Sequence, residues 1–257
     1  MRRRKASLLL FLCIPVAASV LGMQIGLLWE AVRRAGHSSW SAALPHFWNQ
    51  TVNTLLLTCA AVIISLPLAF FCGVWLLRTR HKRCKRMLLH MLSALAGVPS
   101  AVYGLFGYLL FGGVCALGYS LLTGALTAAL LLLPTTVFLL WDALRRLGDT
   151  SLRSALALGA PEGRAVCGVL LPQAGHAIYT AAFLAASRVA AESAALILTA
   201  GIGETSARGL RRFLQSGATL SVGMFQSILE GETELAFSAG VLLLLLAALL
   251  DALSHGR

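Results

Sequence analysis

Charged side chains are scarce in this sequence, and so are the signatures of catalysis. Asp, Glu, Lys and Arg together make up 12% of the 257 residues, whereas hydrophobic residues make up 58%, a balance that excludes an ordinary soluble domain. The sequence has no GxxxxGKS/T motif, so the chain cannot hydrolyse ATP by the P-loop route. It also lacks an HExxH motif, a Cys/His array and a recognisable grouping of Ser, His and acid, which excludes the usual metal sites and nucleophilic enzymes. We therefore expect no enzyme, no metal site and no cofactor bound by this chain itself.

Acidic residues are few as well. The sequence has 10 Asp and Glu against 21 Lys and Arg, a net charge of +11. Such an excess can indicate a nucleic-acid partner, but here the basic residues cluster beside apolar runs, where anionic lipid headgroups account for them. We expect no nucleic acid as a partner. The six cysteines form no metal-type pair and are predicted to act as small hydrophobic side chains; they are Cys13, Cys59, Cys72, Cys84, Cys115 and Cys167.

Long apolar runs are what the sequence has in abundance. A run of about 20 apolar residues is long enough to cross a bilayer, and in lipid the backbone must satisfy its own polar groups as a helix. We therefore predict an all-α integral membrane protein with six transmembrane helices. The predicted spans are residues 6–29, 54–77, 88–111, 117–140, 176–200 and 235–253.

The basic residues predict the orientation in the membrane. They are concentrated before the first apolar run, between the second and third, and between the fourth and fifth. Short loops rich in Lys and Arg stay in the cytoplasm, so we predict that both termini are cytoplasmic. The first apolar run is too long for the core of a signal peptide and is predicted to be an uncleaved span. The stretch after Gly201 is then external, and its Arg208, Arg211 and Arg212 are predicted to share a solvated helical face. A contact surface for a solute-delivering protein is the alternative.

Residues 153–172, RSALALGAPEGRAVCGVLLP, combine charge, a turn and helical periodicity between two spans. Gly159 and Pro161 interrupt the periodicity, which predicts two short helices joined by a turn. The segment resembles the cytoplasmic signature loop of ABC importer permeases, on which ATP-binding subunits dock. Arg153 stands where that loop has Glu. Ser154 and Ala155 stand in its two Ala places, and the positions on register are Gly159, Val169, Leu171 and Pro172. A polar loop that only connects two spans is the alternative.

Residues 95–107, LAGVPSAVYGLFG, combine a proline with three glycines inside a predicted span. Pro99 removes a backbone donor, so Pro99, Ser100 and Tyr103 are candidates to line a solute path through a locally opened helix. Ordinary helix packing through small residues is the alternative. The segment resembles a stretch of the phosphate importer permeases of the high-affinity phosphate (Pst) system.

Arg188 and Glu192 are four residues apart, which predicts that they share one helix face. A charge inside a span is unfavourable and usually faces a cavity or a partner; a self-neutralising pair is the alternative. Their surroundings resemble the A-type permease subunit of phosphate importers, with Ala191 and Ser193 replacing Gly and Thr. Phe138 stands where members of that family carry Arg. By resemblance, Arg188 and Glu192 belong to the substrate pathway.

The resemblance implies a type I ABC importer permease (MetI-like) fold in a bacterial inner membrane. Residues 1–48 would form the first span and an external loop, and residues 49–257 the permease core with a cytoplasmic coupling loop at 142–175. The implied partners are a second homologous permease subunit, two ATP-binding subunits, an extracytoplasmic phosphate-binding protein and the lipid bilayer. An importer for another oxyanion, such as phosphonate, molybdate or sulfate, is the nearest alternative. An ion-driven secondary carrier is a further one.

Overall fold

The computed structural model describes residues 22, 25–26, 29–30, 33, 40–205, 207 and 209–255. Most of the predicted first span, 6–29, and much of the predicted segment 1–48 lie outside these residues. All regular structure in the described part is helical. The α-helices are, in chain order, α1 (Trp40–Arg78), α2 (Lys82–Ala96), α3 (Ser100–Gly107), α4 (Leu121–Ala157), α5 (Glu162–Ala165), α6 (Leu171–Ala190), α7 (Ala194–Ile197), α8 (Leu220–Leu229) and α9 (Thr233–His255).

Three shorter elements complete the chain. A π-helical stretch, Tyr108–Val114, extends α3, and another, Val166–Leu170, joins α5 to α6. A 3-10 helix, Gly209–Leu214, lies in the long connection between α7 and α8. The joined segment from α5 to α6 therefore runs as one length of helix.

The described residues carry four helices that are long and apolar enough to cross a membrane. These are Phe47–Arg78, Leu121–Arg146, Glu162–Ala190 and Thr233–Ser254. A fifth span results if the bent pair Lys82–Ala96 and Ser100–Val114 is counted as one. The predicted all-α membrane fold is confirmed, and the second, fourth and sixth predicted spans correspond to α1, α4 and α9.

The third predicted span, 88–111, is not one straight helix. Helix α2 ends at Ala96, and α3 begins at Ser100 with its axis turned by 96°. The break lies at Pro99, whose backbone is extended (φ −58°, ψ 139°). Proline cannot donate a hydrogen bond and pushes the preceding residue out of helical geometry. The apolar run continues through the break, so hydropathy alone misses it.

The fifth predicted span, 176–200, is displaced towards the N-terminus. The helical segment begins at Glu162 and ends at Ala190, before the predicted end. The carbonyl of Glu192 instead accepts a hydrogen bond from the Ser221 hydroxyl (2.6 Å). This contact with α8 replaces a helical hydrogen bond, and the chain restarts as α7 at Ala194.

The core is built around α1 and α4. One buried cluster joins these helices to α6, α7 and α8, with Leu57, Leu121 and Leu132 fully buried at its centre. A second cluster joins α1 and α4 to α2 and to the α5–α6 segment, and includes Leu76 and Leu144. Helices α1, α4 and α6 contribute to both clusters, whereas α9 packs in a third cluster with Phe47 and Leu220.

The two broken segments pack on each other through glycine. A Cβ atom on Gly104 of α3 would lie 2.8 Å from the Cα atom of Ala195 in α7. A Cβ atom on Gly107 would lie 2.0 Å from the Thr127 hydroxyl oxygen of α4. The backbones of α3 and α7 therefore meet directly, as small residues allow between membrane helices.

We predict that Gly104→Val destabilises the chain. The added side chain would collide with backbone atoms of Ala195, and overpacking of this kind typically costs about 1–3 kcal/mol. Gly175→Val is the matched control, because it places the same side chain at a helical glycine where a Cβ has no neighbour within 4 Å. Thermal unfolding of the two detergent-purified variants measures the difference. Equal stability of the two variants would contradict the close approach of α3 and α7.

Candidate functional site

The helix breaks bring part of the predicted substrate pathway together. The Tyr103 phenol, in the first turn of α3, lies close enough to Arg188 to interact electrostatically with its guanidinium. The Tyr103 hydroxyl also donates a hydrogen bond across the break to the carbonyl of Leu95 (3.0 Å). Tyr103 thus links the break at Pro99 to the C-terminal end of α6.

Arg188 and Glu192 do not share a helix face, and that prediction is wrong. Glu192 lies beyond the last residue of α6, Ala190. Its carboxylate accepts a hydrogen bond from the N–H of Ala195 (3.4 Å) at the start of α7. In the described part of the chain, no ion pair joins Arg188 to Glu192. Glu192 is therefore placed to position α7 and not to neutralise Arg188.

Arg188 lies exposed on the surface of the chain near the end of the predicted path. At the two helix breaks, Ser100 and Glu192 are half-buried and Pro99 is exposed. An exposed guanidinium keeps its five donors available for an oxyanion. The role of these residues in transport stays a prediction.

The opening of the helix at Pro99 is limited. The N–H groups of Gly97 and Val98 donate to the carbonyls of Ala94 and Leu95 (both 3.1 Å). The carbonyl of Pro99 accepts from the N–H of Val102 (3.0 Å). These bonds keep most backbone groups at the break satisfied by the protein itself, so side chains are the better candidates for contacts with a solute.

Phe138 lies in an apolar environment. It is half-buried and packs against the cluster of Val137 and Leu140 on α4. The position where the resembling permeases carry Arg is therefore part of the hydrophobic core here. This chain offers no cation at that place.

The predicted hairpin turn is confirmed at Gly159. Its φ angle is +84°, in the left-handed region that favours glycine. The N–H of Gly159 donates to the carbonyl of Leu156 (3.0 Å), and that of Ala160 donates to the carbonyl of Ala155 (3.1 Å). These two bonds form a Schellman motif, which ends a helix at a glycine.

The helices on either side of this turn are longer than predicted. The first is the end of α4, which has 37 residues, and the second begins at Glu162 and continues through a π-helical stretch into α6. The prediction of two short helices is therefore wrong, because the apolar pattern of each helix continues into its neighbouring span.

The hairpin presents a largely exposed surface at its tip. Leu158 is 89% exposed, an unusual environment for a leucine beside a turn. Glu162 forms an ion pair with Arg78, the last residue of α1. Val169 and Ala155 are half-buried, and the exposed members of the predicted docking set are Arg153, Ser154, Gly159, Leu171 and Pro172.

Sequence reasoning missed a buried polar network centred on Arg212. This residue is only 8% exposed, although a solvated face was expected. Its Nε donates to Oδ1 of Asn53 (2.7 Å), and one terminal nitrogen donates to the carbonyl of Asn49 (2.9 Å). Burial lowers the pKa of the Arg212 guanidinium, which nonetheless stays charged because its ordinary value is so high.

The same network holds the long connection before α8 against the start of α1. Asn53 donates from Nδ2 to the carbonyl of Ala218 (2.9 Å), and the Leu220 N–H donates to the Thr54 hydroxyl (2.9 Å). A Cβ on Gly217 would lie 2.8 Å from Nδ2 of Asn53. The polar residues at positions 49–54 were the available signal in the sequence, but their partners are more than 150 positions away.

Comparison with known proteins places this architecture in a family. The model of the binding-protein-dependent transport system inner membrane component matches residues 65–255. The chain belongs to this family. The matched range begins within α1 and ends at the last residue of α9, so it contains both helix breaks and the hairpin.

Several curated proteins are similar to this chain. A phosphate transport system permease protein PstA homolog of Mycoplasma pneumoniae is 30% identical over 186 residues, 69% of this chain and 28% of that protein. A probable ABC transporter permease protein, YqgI, of Bacillus subtilis is 32% identical over 60% of this chain and 53% of that protein. PstA 1 of Mycobacterium tuberculosis (strain H37Rv) is 28% identical over 67% of this chain and 58% of that protein. The chain thus spans between about a quarter and three fifths of these relatives.

A solved structure has the same fold. An amino acid ABC transporter, described with bound histidines, superposes with a TM-score of 0.53 at 18% sequence identity. The match covers 85% of this chain and 97% of that one. At this identity, the match shows the helical fold alone.

We predict that the Arg212 network stabilises the chain. Arg212→Met removes the donors to Asn49 and Asn53, and orphaned buried acceptors cost about 1–3 kcal/mol each. Arg211→Met is the matched control, since Arg211 is the neighbouring residue and is exposed. Thermal unfolding in detergent should show a clear loss for Arg212→Met and little change for Arg211→Met. A loss of the same size in both variants would contradict the network.

Proposed function

We propose that this chain is a permease subunit of an ATP-driven importer for inorganic phosphate. The similarity to proteins named as phosphate permeases carries the proposal, within a family that matches residues 65–255. The chain would reside in a bacterial inner membrane with both termini in the cytoplasm. It would assemble with a second homologous permease subunit, two ATP-binding subunits and an extracytoplasmic phosphate-binding protein.

Arg188 is the residue we propose to contact the anion. It lies exposed at the end of α6, within electrostatic range of Tyr103. An exposed charge on a membrane helix needs a cavity or a partner, and a second permease subunit facing this surface would enclose it. The guanidinium fork suits the oxygens of phosphate in a way that a point ammonium does not. Glu192 would act indirectly, by positioning α7 through the N–H of Ala195.

The hairpin around Gly159 is the proposed contact for the ATP-binding subunits. Its exposed Leu158 offers an apolar contact, and both arms continue into spans. ATP would be bound by the partner subunits and not by this chain. Displacement of the hairpin would then shift α4 and α6 together and open the path alternately to either side of the membrane.

A different oxyanion is the second candidate solute. Phe138 occupies an apolar cluster where the resembling phosphate permeases carry Arg, which removes one positive charge from the proposed path. Phosphonate, molybdate or sulfate would then replace phosphate. Competition of each anion with labelled phosphate during uptake by the assembled complex distinguishes them, because the true solute should compete best.

We predict that Arg188→Ala strongly reduces phosphate uptake while the complex still assembles. Loss of charge-assisted hydrogen bonds worth about 1.5–3 kcal/mol corresponds to roughly a tenfold to hundredfold weaker interaction. Arg188→Lys should also be poor, and Glu192→Gln should reduce uptake less. Uptake of labelled phosphate into proteoliposomes gives the measurement, with Arg211→Ala as the matched control on an exposed arginine. Near-normal uptake by Arg188→Ala would refute the anion contact.

We predict that Gly159→Val uncouples ATP hydrolysis from uptake. Valine at a φ angle of +84° is strained, so the turn should change shape while the spans remain inserted. Gly163→Val is the matched control, because Gly163 lies in α5 with no neighbour within 4 Å of a Cβ and without a positive φ. The ratio of solute transported to ATP hydrolysed is measured in proteoliposomes. If that ratio is unchanged in Gly159→Val, the docking role of the turn is wrong.

A further inference from the structure

Helix α2 has a composition unlike that of its neighbours. Its 15 residues, KRCKRMLLHMLSALA, include four Lys and Arg side chains in the first five positions. The segment that follows, Ser100–Val114, has no charged residue. The two meet at 96°, so if Ser100–Val114 runs into the bilayer, α2 runs along its surface.

The sides of α2 have different environments. One side packs on the protein, where Leu92 is buried and the Lys85 ammonium lies 5.2 Å from the centre of the Trp141 ring of α4. A second side is apolar yet exposed, with Met87, Met91 and Leu95 exposed by 60%, 52% and 46%. In the part of the chain that the structure describes, no residue covers this second side.

The third side is basic and exposed. Lys82, Arg83 and Arg86 lie on it, and each is exposed. At 100° per residue, these three side chains point about 130° away from the stripe of Met87, Met91 and Leu95. A helix with one exposed apolar side and one exposed basic side fits a boundary between hydrocarbon and water.

We propose that α2 lies in the headgroup layer of the membrane and binds anionic phospholipids. Met87, Met91 and Leu95 enter the boundary of the acyl chains, while Lys82, Arg83 and Arg86 contact lipid phosphates. The bilayer is favoured over a protein partner by two observations. The apolar side is continuous with the uncharged segment Ser100–Val114, and the adjacent charges are all of the sign that anionic headgroups attract.

A lipid-preference experiment tests the charge. The full chain is reconstituted in nanodiscs of phosphatidylcholine and phosphatidylglycerol, and the enrichment of phosphatidylglycerol around it is measured with spin-labelled lipids. Each basic residue near the surface contributes about a fivefold preference for anionic lipid, so Lys82→Gln/Arg83→Gln/Arg86→Gln should reduce that preference by up to about a hundredfold. Lys82→Arg/Arg83→Lys/Arg86→Lys is the control, because it changes the same three exposed positions but keeps their charge. Unchanged enrichment in the α2 variant, or an equal loss in the control, would overturn the proposal.

A crosslinking experiment tests the apolar side and separates lipid from protein. A photoreactive amino acid at Met91 of the full chain, in native membranes, should form adducts with phospholipid, which mass spectrometry identifies. Adducts mainly with another protein subunit would overturn the proposal and make this side a subunit interface. Neither experiment measures transport. A negative result in these two experiments therefore does not bear on the proposed phosphate function. Equally, a negative result for phosphate uptake does not bear on the lipid contact.

Discussion

The fold depends on how backbone polar groups are satisfied where membrane helices break. Lipid offers these groups no partner, so the protein must supply one at each interruption. At the end of α6, the Ser221 hydroxyl donates to the carbonyl of Glu192, and the carboxylate of Glu192 accepts from the first turn of α7. At Pro99, hydrogen bonds between backbone N–H and carbonyl groups three residues apart satisfy most of the polar groups that the break would otherwise leave unpaired. Because Gly104 lets α3 meet α7 directly, the helices that follow the two breaks pack on each other.

The parts of this fold that could be predicted from the sequence are those with local causes. The turn at Gly159 could be predicted because it depends on a single glycine whose φ angle lies in the left-handed region. The two hydrogen bonds of the turn follow from that local conformation. The long spans follow from the length of the apolar runs. The end of α6 and the burial of Arg212 could not be predicted, because Ser221, Asn49 and Asn53 reach them from distant parts of the chain.

Hydropathy also wrongly joined α2 to the segment after Pro99 as one span, for a different physical reason. The run from 88 to 111 is apolar enough for a span, and averaging along it hides the bend at Pro99. The basic residues at the start of α2 and the proline were both visible in the sequence, but only the 96° angle shows that they belong to separate segments. For the candidate site, the sequence drew attention to Arg188 but placed Glu192 on the same helix, whereas α6 ends at Ala190, before Glu192.

The unbroken length of α4 has a mechanical consequence. With 37 residues, it is a rod of about 55 Å at 1.5 Å per residue. One end is the turn at Gly159, and at the other end the N–H of Leu121 donates to the carbonyl of Gln215 (3.0 Å). Gln215 follows directly on the 3-10 helix that contains Arg212. A displacement of the turn would therefore reach the buried arginine network through a single helix, in which Pro134 is the place where a backbone hydrogen bond is missing and bending is easiest.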